Sequence, residues 1–137
     1  VIDSFEEHAR EHAPTCVAGP EARGFIFGPL LAMRLNVPFV PIRKPGKLPH
    51  KTVSVSYSLE YGTNELQMHE DALGSGDRAI LVDDLLATGG TVEAAASLIS
   101  KAGAETVAAL FLIELEGLDG RARLGSIPTH SLVELPA

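Results

Sequence analysis

The chain has 137 residues, 45% hydrophobic and 21% charged, with a net charge of −7; this suits one domain, residues 1–137, and weighs against general nucleic-acid binding. No apolar run reaches the length of a membrane span, no signal-peptide pattern opens the chain, and a single cysteine excludes an internal disulfide framework, so a cytoplasmic protein without a membrane partner is expected. Charge is unevenly spread: residues 22–59 hold no Asp or Glu, yet six of the eleven basic residues fall there, Arg23, Arg34, Arg43, Lys44, Lys47 and Lys51. An acidic chain that clears carboxylates from one stretch is expected to bind an anion there.

In chain order, residues 2–12 set Ile2, Phe5 and Ala9 on one face and charged residues elsewhere, which predicts an amphipathic helix ended by Pro14. His8 and His12 with Glu11 formally match H-x-x-E-H, but no third ligand is visible and two histidines on an exposed face is the simpler reading. Residues 15–19 read as a short buried strand, with Cys16 a structural thiol. A turn-rich junction at 19–25 leads into an apolar helix over 26–35; within it Arg23 either reaches an anion above the sheet or faces water. Residues 37–42 form the next strand, and Arg-Lys-Pro-Gly-Lys-Leu-Pro at 43–49 is a basic loop shaped by prolines and a glycine. Residues 52–57 and 64–69 alternate apolar and polar and predict two exposed antiparallel strands. Residues 58–62, Ser-Leu-Glu-Tyr-Gly, join them as a lid-like loop, while Met68 and His69 belong to strand packing.

The central stretch is an apolar strand, residues 79–82, with Asp83 and Asp84 at its carboxyl end and a loop of small residues, Ala87-Thr-Gly-Gly-Thr91, after it. A helix over 92–102 follows, stopped by Gly103. Residues 106–113 are a buried strand, 117–124 a short polar helical segment and 131–135 a last strand. Alternating helix and strand predict an α/β fold with a parallel sheet covered on both faces. In such sheets ligands bind at the carboxyl ends of strands, and free N–H groups at a helix start attract phosphate. Glycines allow a close approach, Thr88 and Thr91 add hydroxyls, and the aspartates suit ribose hydroxyls or a cation. Neither a Walker A loop nor a G-x-G-x-x-G is present. These features describe a site for a sugar phosphate.

Residues 82–91, Val-Asp-Asp-Leu-Leu-Ala-Thr-Gly-Gly-Thr, resemble the phosphoribosyl-diphosphate signature of the type I phosphoribosyltransferases, and the Leu-Leu version is similar to that of the family's adenine branch. The basic loop at 43–49 and Glu60-Tyr61-Gly62 carry the same likeness. The resemblance implies a central parallel sheet flanked by helices, with a protruding antiparallel hairpin as flexible catalytic loop. It implies that Ala87, Thr88, Gly89, Gly90 and Thr91 hold the 5-phosphate and that Asp83 and Asp84 hold the ribose. Glu21, Ala22 and Arg23 would meet the diphosphate across a non-proline cis peptide at Glu21–Ala22, with Arg43, Lys44 and Lys47 adding positive charge. Arg43 would reach the neighbour's site in a homodimer. Glu60 would be the general acid/base, with Tyr61 and Arg23 beside it in catalysis. Leu85 and Leu115 sit where the family packs aliphatic side chains on adenine; core packing is the other reading.

The implied reaction moves 5-phosphoribose from 5-phosphoribosyl-1-diphosphate to adenine, giving AMP and diphosphate in purine salvage. Mg²⁺ would arrive on the substrate diphosphate with no direct protein ligand. The likeness begins at the helix before the first core strand, so the family's preceding hood segment is expected to be absent from residues 1–137. Two other readings stand beside this one: transfer to hypoxanthine, guanine or xanthine, and a non-catalytic regulator that senses phosphoribosyl diphosphate.

Overall fold

Apolar runs separated by helical patterns dictate the layering seen in the computed structural model, which describes residues 1–59 and 62–137. In order these are α1 (Ile2–Arg10), β1 (Cys16–Pro20), α2 (Gly24–Leu35), β2 (Phe39–Ile42), β3 (Thr52–Leu59), β4 (Gly62–His69), β5 (Arg78–Leu86), α3 (Gly90–Lys101), β6 (Glu105–Glu116), a 3-10 helix (Gly120–Leu124) and β7 (Thr129–Pro136). Five strands form one sheet in the order β2-β1-β5-β6-β7, with every pairing parallel. β3 and β4 form a separate antiparallel pair. No helix among the described residues is long and apolar enough to cross a membrane.

Period-two alternation sends successive side chains of the central strands to opposite faces, and each face has its own core. Cys16, Ala18, Ala79, Leu81 and Phe111 pack with α3 and the hairpin. Val17, Ile80, Val82 and Leu110 pack with Phe5, Ala9, Leu31 and Ala32 of α1 and α2. A strand buried on both sides must be apolar at every position, which is why residues 79–82 show no alternation.

α3 ends as expected at Gly103, whose φ of +90° closes the helix with bonds from Gly103 N–H to Ser100 and from Ala104 N–H to Ile99. Other boundaries move. α1 stops at Arg10, α2 begins at Gly24 and β2 at Phe39. Ser58, Leu59 and Gly62 are not loop but strand, paired to the last register position, Leu59 with Gly62. The largest correction concerns β5, which does not end at Val82. It runs to Leu86 because β6 continues beside it, pairing Asp83 with Phe111, Leu85 with Ile113 and Leu86 with Glu114. Hydropathy locates where a strand loses its burial; the backbone ladder of the neighbouring strand locates where it stops.

The chain leaves β1 to form β2 on one side and returns as β5 on the other. That reversal opens a crevice at the carboxyl ends of β1 and β5, where open α/β sheets bind ligands.

Candidate active site

Because β5 carries on through the aspartates, its alternation sends the two carboxylates apart. Asp83 faces the α3 side and lines the crevice. Asp84 faces α2, where its Oδ2 accepts from Arg23 Nε at 2.8 Å. Asp84 N–H in turn donates to Asp83 Oδ1 at 2.8 Å, coupling the pair. Asp84 Oδ1 is buried and has no hydrogen-bond partner among the described residues. A buried acceptor beside a crevice is one that a sugar hydroxyl would satisfy. Burial, helped by the neighbouring Asp84 carboxyl, pushes the Asp83 carboxyl from its ordinary value up to about 7, against the pull of the Asp84 backbone N–H and of Arg23.

The loop after β5 wraps a cavity of about 160 Å³ lined by Arg23, Asp83, Leu85 and every residue from Ala87 to Thr91. Gly89 caps α3 with φ +88° and no side chain caps it, so the first-turn N–H groups of α3 open onto this cavity. The 3-10 helix props the loop from below. A Cβ on Gly89 would stand 2.6 Å from the Gly120 carbonyl oxygen, and one on Gly120 would run into the Ala87 carbonyl oxygen. Only two glycines permit so close a backbone crossing. The cavity is thus shaped for a tetrahedral anion held by main-chain donors.

A second cavity of about 310 Å³ adjoins the first, sharing Arg23, Asp83 and Thr91 and adding Glu21, Ala22, Lys44 and the hairpin residues Tyr57, Asn64 and Leu66. The Glu21–Ala22 peptide is cis, as the resemblance implies. The cations expected here are organised by one carboxylate. Glu21, with its side chain only 9% exposed, pairs with Arg43 at 3.3 Å and Lys47 at 3.1 Å, and accepts the Lys44 backbone N–H at 2.8 Å. Burial works to raise the Glu21 carboxyl, but Lys44 N–H, Lys47 and Arg43 outweigh it and hold it below the ordinary range. Arg43 also lies 5.8 Å from the centre of the Phe25 ring, at the start of α2.

The crevice therefore assembles Glu21, Ala22, Arg23, Lys44, Asp83, Leu85 and Ala87 to Thr91 in two adjoining compartments. Arg43 and Lys47 stand behind them on Glu21. Leu115 lies further along β6, paired with Leu135 of β7 and outside both linings. Glu60 and Tyr61 lie outside the described residues. His8, half of the H-x-x-E-H match, stacks on His130 with ring centres 3.5 Å apart. Sequence reasoning missed Tyr57, Asn64 and Gly120. Alternation held the signal for the first two: Val53, Val55 and Tyr57 pair with Met68, Leu66 and Asn64 in register, which turns one hairpin face inward.

With this geometry in view, comparison with known proteins is direct. Residues 2–126 match the model of the phosphoribosyl transferase domain. The chain is 53% identical over 133 residues to the adenine phosphoribosyltransferase of Clostridium botulinum (strain Eklund 17B / Type B), covering 97% of this chain and 77% of that protein. The crystal structure of adenine phosphoribosyltransferase from Rhodothermus marinus superposes with a TM-score of 0.93 at 50% identity, covering 98% of this chain and 77% of the other. That of the Saccharomyces cerevisiae enzyme, complexed with an imino-altritol bisphosphate and adenine, gives 0.90 at 39% identity over 96% and 76%. An uncapped helix start beside an aspartate pair at the sheet's switch point, together with these likenesses, places this chain in the phosphoribosyltransferase family, among the adenine phosphoribosyltransferases.

Proposed function

We infer that this protein transfers 5-phosphoribose from 5-phosphoribosyl-1-diphosphate to N9 of adenine, giving AMP and diphosphate in purine salvage. The observation that carries the reading is the pair of adjoining compartments at the carboxyl ends of β1 and β5, one framed by the loop at Ala87 to Thr91 and the other reached by Arg23 and Lys44 beside the carboxylates Glu21 and Asp83. Its support from relatives is the 53% identity to an adenine phosphoribosyltransferase and the adenine bound in the yeast crystal structure.

The chemistry breaks the C1–O bond of the sugar, with its electron pair leaving on diphosphate, and forms C1–N9 from the purine lone pair. The N9 proton goes to a base, the role the family likeness gives to Glu60 with Tyr61 and Arg23 beside it. C1 becomes cation-like as diphosphate departs, so the protein must hold both ends of the sugar, offset the leaving charge and exclude water. Ala87 to Thr91 take the 5-phosphate, and Asp83 with Asp84 takes the ribose hydroxyls. Glu21, Ala22, Arg23 and Lys44 face the diphosphate, while Arg43 and Lys47 supply charge from behind Glu21. Leu85, and Leu115 from its own strand, are the aliphatic partners for the base. Magnesium enters as part of the substrate, chelated by the diphosphate. That arrangement is supported by the engagement of Asp84 Oδ2 with Arg23 and by the described residues, which form no cluster of three or more metal-ligating side chains.

The protein acts as a homodimer in this reading. α2 turns Ile26, Leu30 and Met33 outward, 56%, 49% and 79% exposed, an apolar stripe spaced i, i+4, i+7 on a helix whose first turn carries Phe25 beneath Arg43.

An assay with adenine, hypoxanthine, guanine and xanthine, each with phosphoribosyl diphosphate and Mg²⁺, tests the function. Adenine is the base consumed, EDTA stops the reaction, and Asp84→Ala lowers kcat/KM by on the order of 100-fold. Consumption of another base instead would move the assignment to that base. Tight binding of phosphoribosyl diphosphate without turnover of any base would make the protein a sensor.

A further inference from the structure

Arg121 has no part in the roles set out above, yet it fastens the 3-10 helix to the edge of the sheet. Its Nη2 donates to Glu114 Oε1 at 2.6 Å and its Nε to Glu114 Oε2 at 3.2 Å, a two-pronged grip on one carboxylate. Its Nη1 donates to the Thr129 carbonyl at the start of β7, and Ser131 Oγ donates to Glu114 Oε1 at 2.8 Å. The Glu114 side chain is only 16% exposed, and the Arg121 bond outweighs that burial to hold its carboxyl below the ordinary range. A lone surface ion pair contributes little, but a bidentate pair within a network can fix a geometry.

The pair closes a ring around the loop that follows β5. Glu114 pairs with Leu86 in the β5–β6 ladder, so its backbone lies beside the last residue before Ala87. The chain then leaves β6, passes through an exposed turn at 117–119 and returns as Gly120, which is buried. Gly120 abuts the Ala87 carbonyl and the Leu86 side chain so tightly that no Cβ fits between them. A Cβ on Gly89 would stand 2.6 Å from the Gly120 carbonyl oxygen. A carbon–carbon bond is about 1.5 Å, so the Gly89 Cα is itself in van der Waals range of that oxygen. At the far end of the 3-10 helix Leu124 is buried in the core and Arg123 pairs with Glu93 of α3 at 3.7 Å. Arg121, next to Gly120, ties down the end that touches the loop.

We propose that Arg121 is a positioning residue for the sugar phosphate: gripped by Glu114, it seats Gly120 against the loop at Ala87 to Thr91 and so sets where the N–H groups of that loop stand. This deepens the function inferred above and rests on it. A loop rich in glycine loses much freedom when it is ordered around an anion. A brace that orders it beforehand removes that cost from binding. The brace acts on the sugar-phosphate side. Leu115, although next to Glu114, is held by its own ladder pairing with Leu135.

Phosphoribosyl diphosphate binding is measured by calorimetry without a base, with steady-state kinetics and thermal melts. The proteins are the parent, Arg121→Gln, Arg121→Lys, Glu114→Gln and the double variant Arg121→Gln/Glu114→Gln. Arg121→Gln raises both Kd and KM for phosphoribosyl diphosphate by on the order of fivefold and leaves KM for adenine nearly unchanged. Arg121→Lys keeps the charge without the fork and shares most of the loss. Because the two residues act as one brace, the double variant is no worse than Arg121→Gln. Arg78→Gln is the control, since it frees Glu105 and the His12 carbonyl at the opposite end of the sheet; it lowers the melting temperature and keeps the parental KM. Three results would each show that Arg121 does not hold this role: a folded Arg121→Gln that binds phosphoribosyl diphosphate as the parent does, losses that multiply in the double variant, or an equal rise in KM for Arg78→Gln. Should Arg121→Gln fail to fold, Arg121→Lys decides by the same readings. A parent chain that binds no phosphoribosyl diphosphate would instead overturn the function on which the inference stands.

Discussion

Asp83 carries a carboxyl raised to about 7 by burial and by its neighbour Asp84, and the sign of that shift makes a stability prediction. The ordinary value is 3.8, so between roughly pH 4 and pH 7 the folded state keeps a proton that the unfolded state has released. Stability therefore falls as pH rises through that window, and the full cost is present above it. Asp83→Asn preserves the acceptor for the Asp84 N–H and removes the titration. It should be more stable than the parent by a few kcal/mol at about pH 8, with the difference closing towards pH 4. Chemical denaturation at a series of pH values checks this; parallel curves for the two proteins would show that Asp83 is not held protonated. The same substitution should weaken sugar-diphosphate binding, so stability and function oppose each other at this residue. That a paired acid would lie at the site is readable from residues 82–91. That one acid faces α3 and the other α2 is not, because it depends on β5 continuing past its apolar run.

At the scale of elements, the loop at Ala87 to Thr91, proposed to hold the 5-phosphate, is held by an approach from a segment about thirty residues away. Gly120 of the 3-10 helix touches the Ala87 carbonyl and the Leu86 side chain, with no room for a Cβ. Gly120→Ala should cost about 1–3 kcal/mol of stability through overpacking and raise KM for phosphoribosyl diphosphate more than it lowers kcat. Gly74→Ala, where nothing lies within 4 Å of the new methyl, is the control, and melts with kinetics on both variants check the pair. A Gly120→Ala protein with parental KM would show that the 3-10 helix does not shape the loop. The hairpin illustrates a related limit of sequence reading. Its two strands are visible as alternation, but only its packing on α3 shows that the inward face carries Tyr57 and Asn64 to the ligand compartment.

For the whole molecule, the charge map explains how an acidic protein accommodates a polyanion. The stretch from 22 to 59 holds six of the eleven basic residues, and Glu21, immediately before it, gathers Arg43 and Lys47 into one cluster. An acid-free stretch is legible in one dimension; the single acid that orders its cations is found only in three. The exposed Ile26, Leu30 and Met33 of α2 belong to the same scale. In the homodimer proposed above this stripe is the candidate contact, and a charge placed there tests it. On that proposal the parent sediments as a dimer and Leu30→Glu with Met33→Glu as a monomer; a parent that sediments as a monomer would overturn the homodimer. An unchanged sedimentation coefficient would place the dimer contact elsewhere.

The sequence by itself determined the layered α/β architecture, the order of its strands along the chain, the helix stop at Gly103 and the small-residue loop at Ala87 to Thr91 that is proposed to hold the 5-phosphate. These depend on local hydropathy, on glycine conformations and on contiguous donors, all of which act within a few residues. Tertiary structure alone decided how far β5 runs, which way each aspartate points, what props the loop and what walls the second cavity. Those outcomes follow from strand pairing and from packing between segments far apart in the chain, and no local pattern records which distant backbone will arrive.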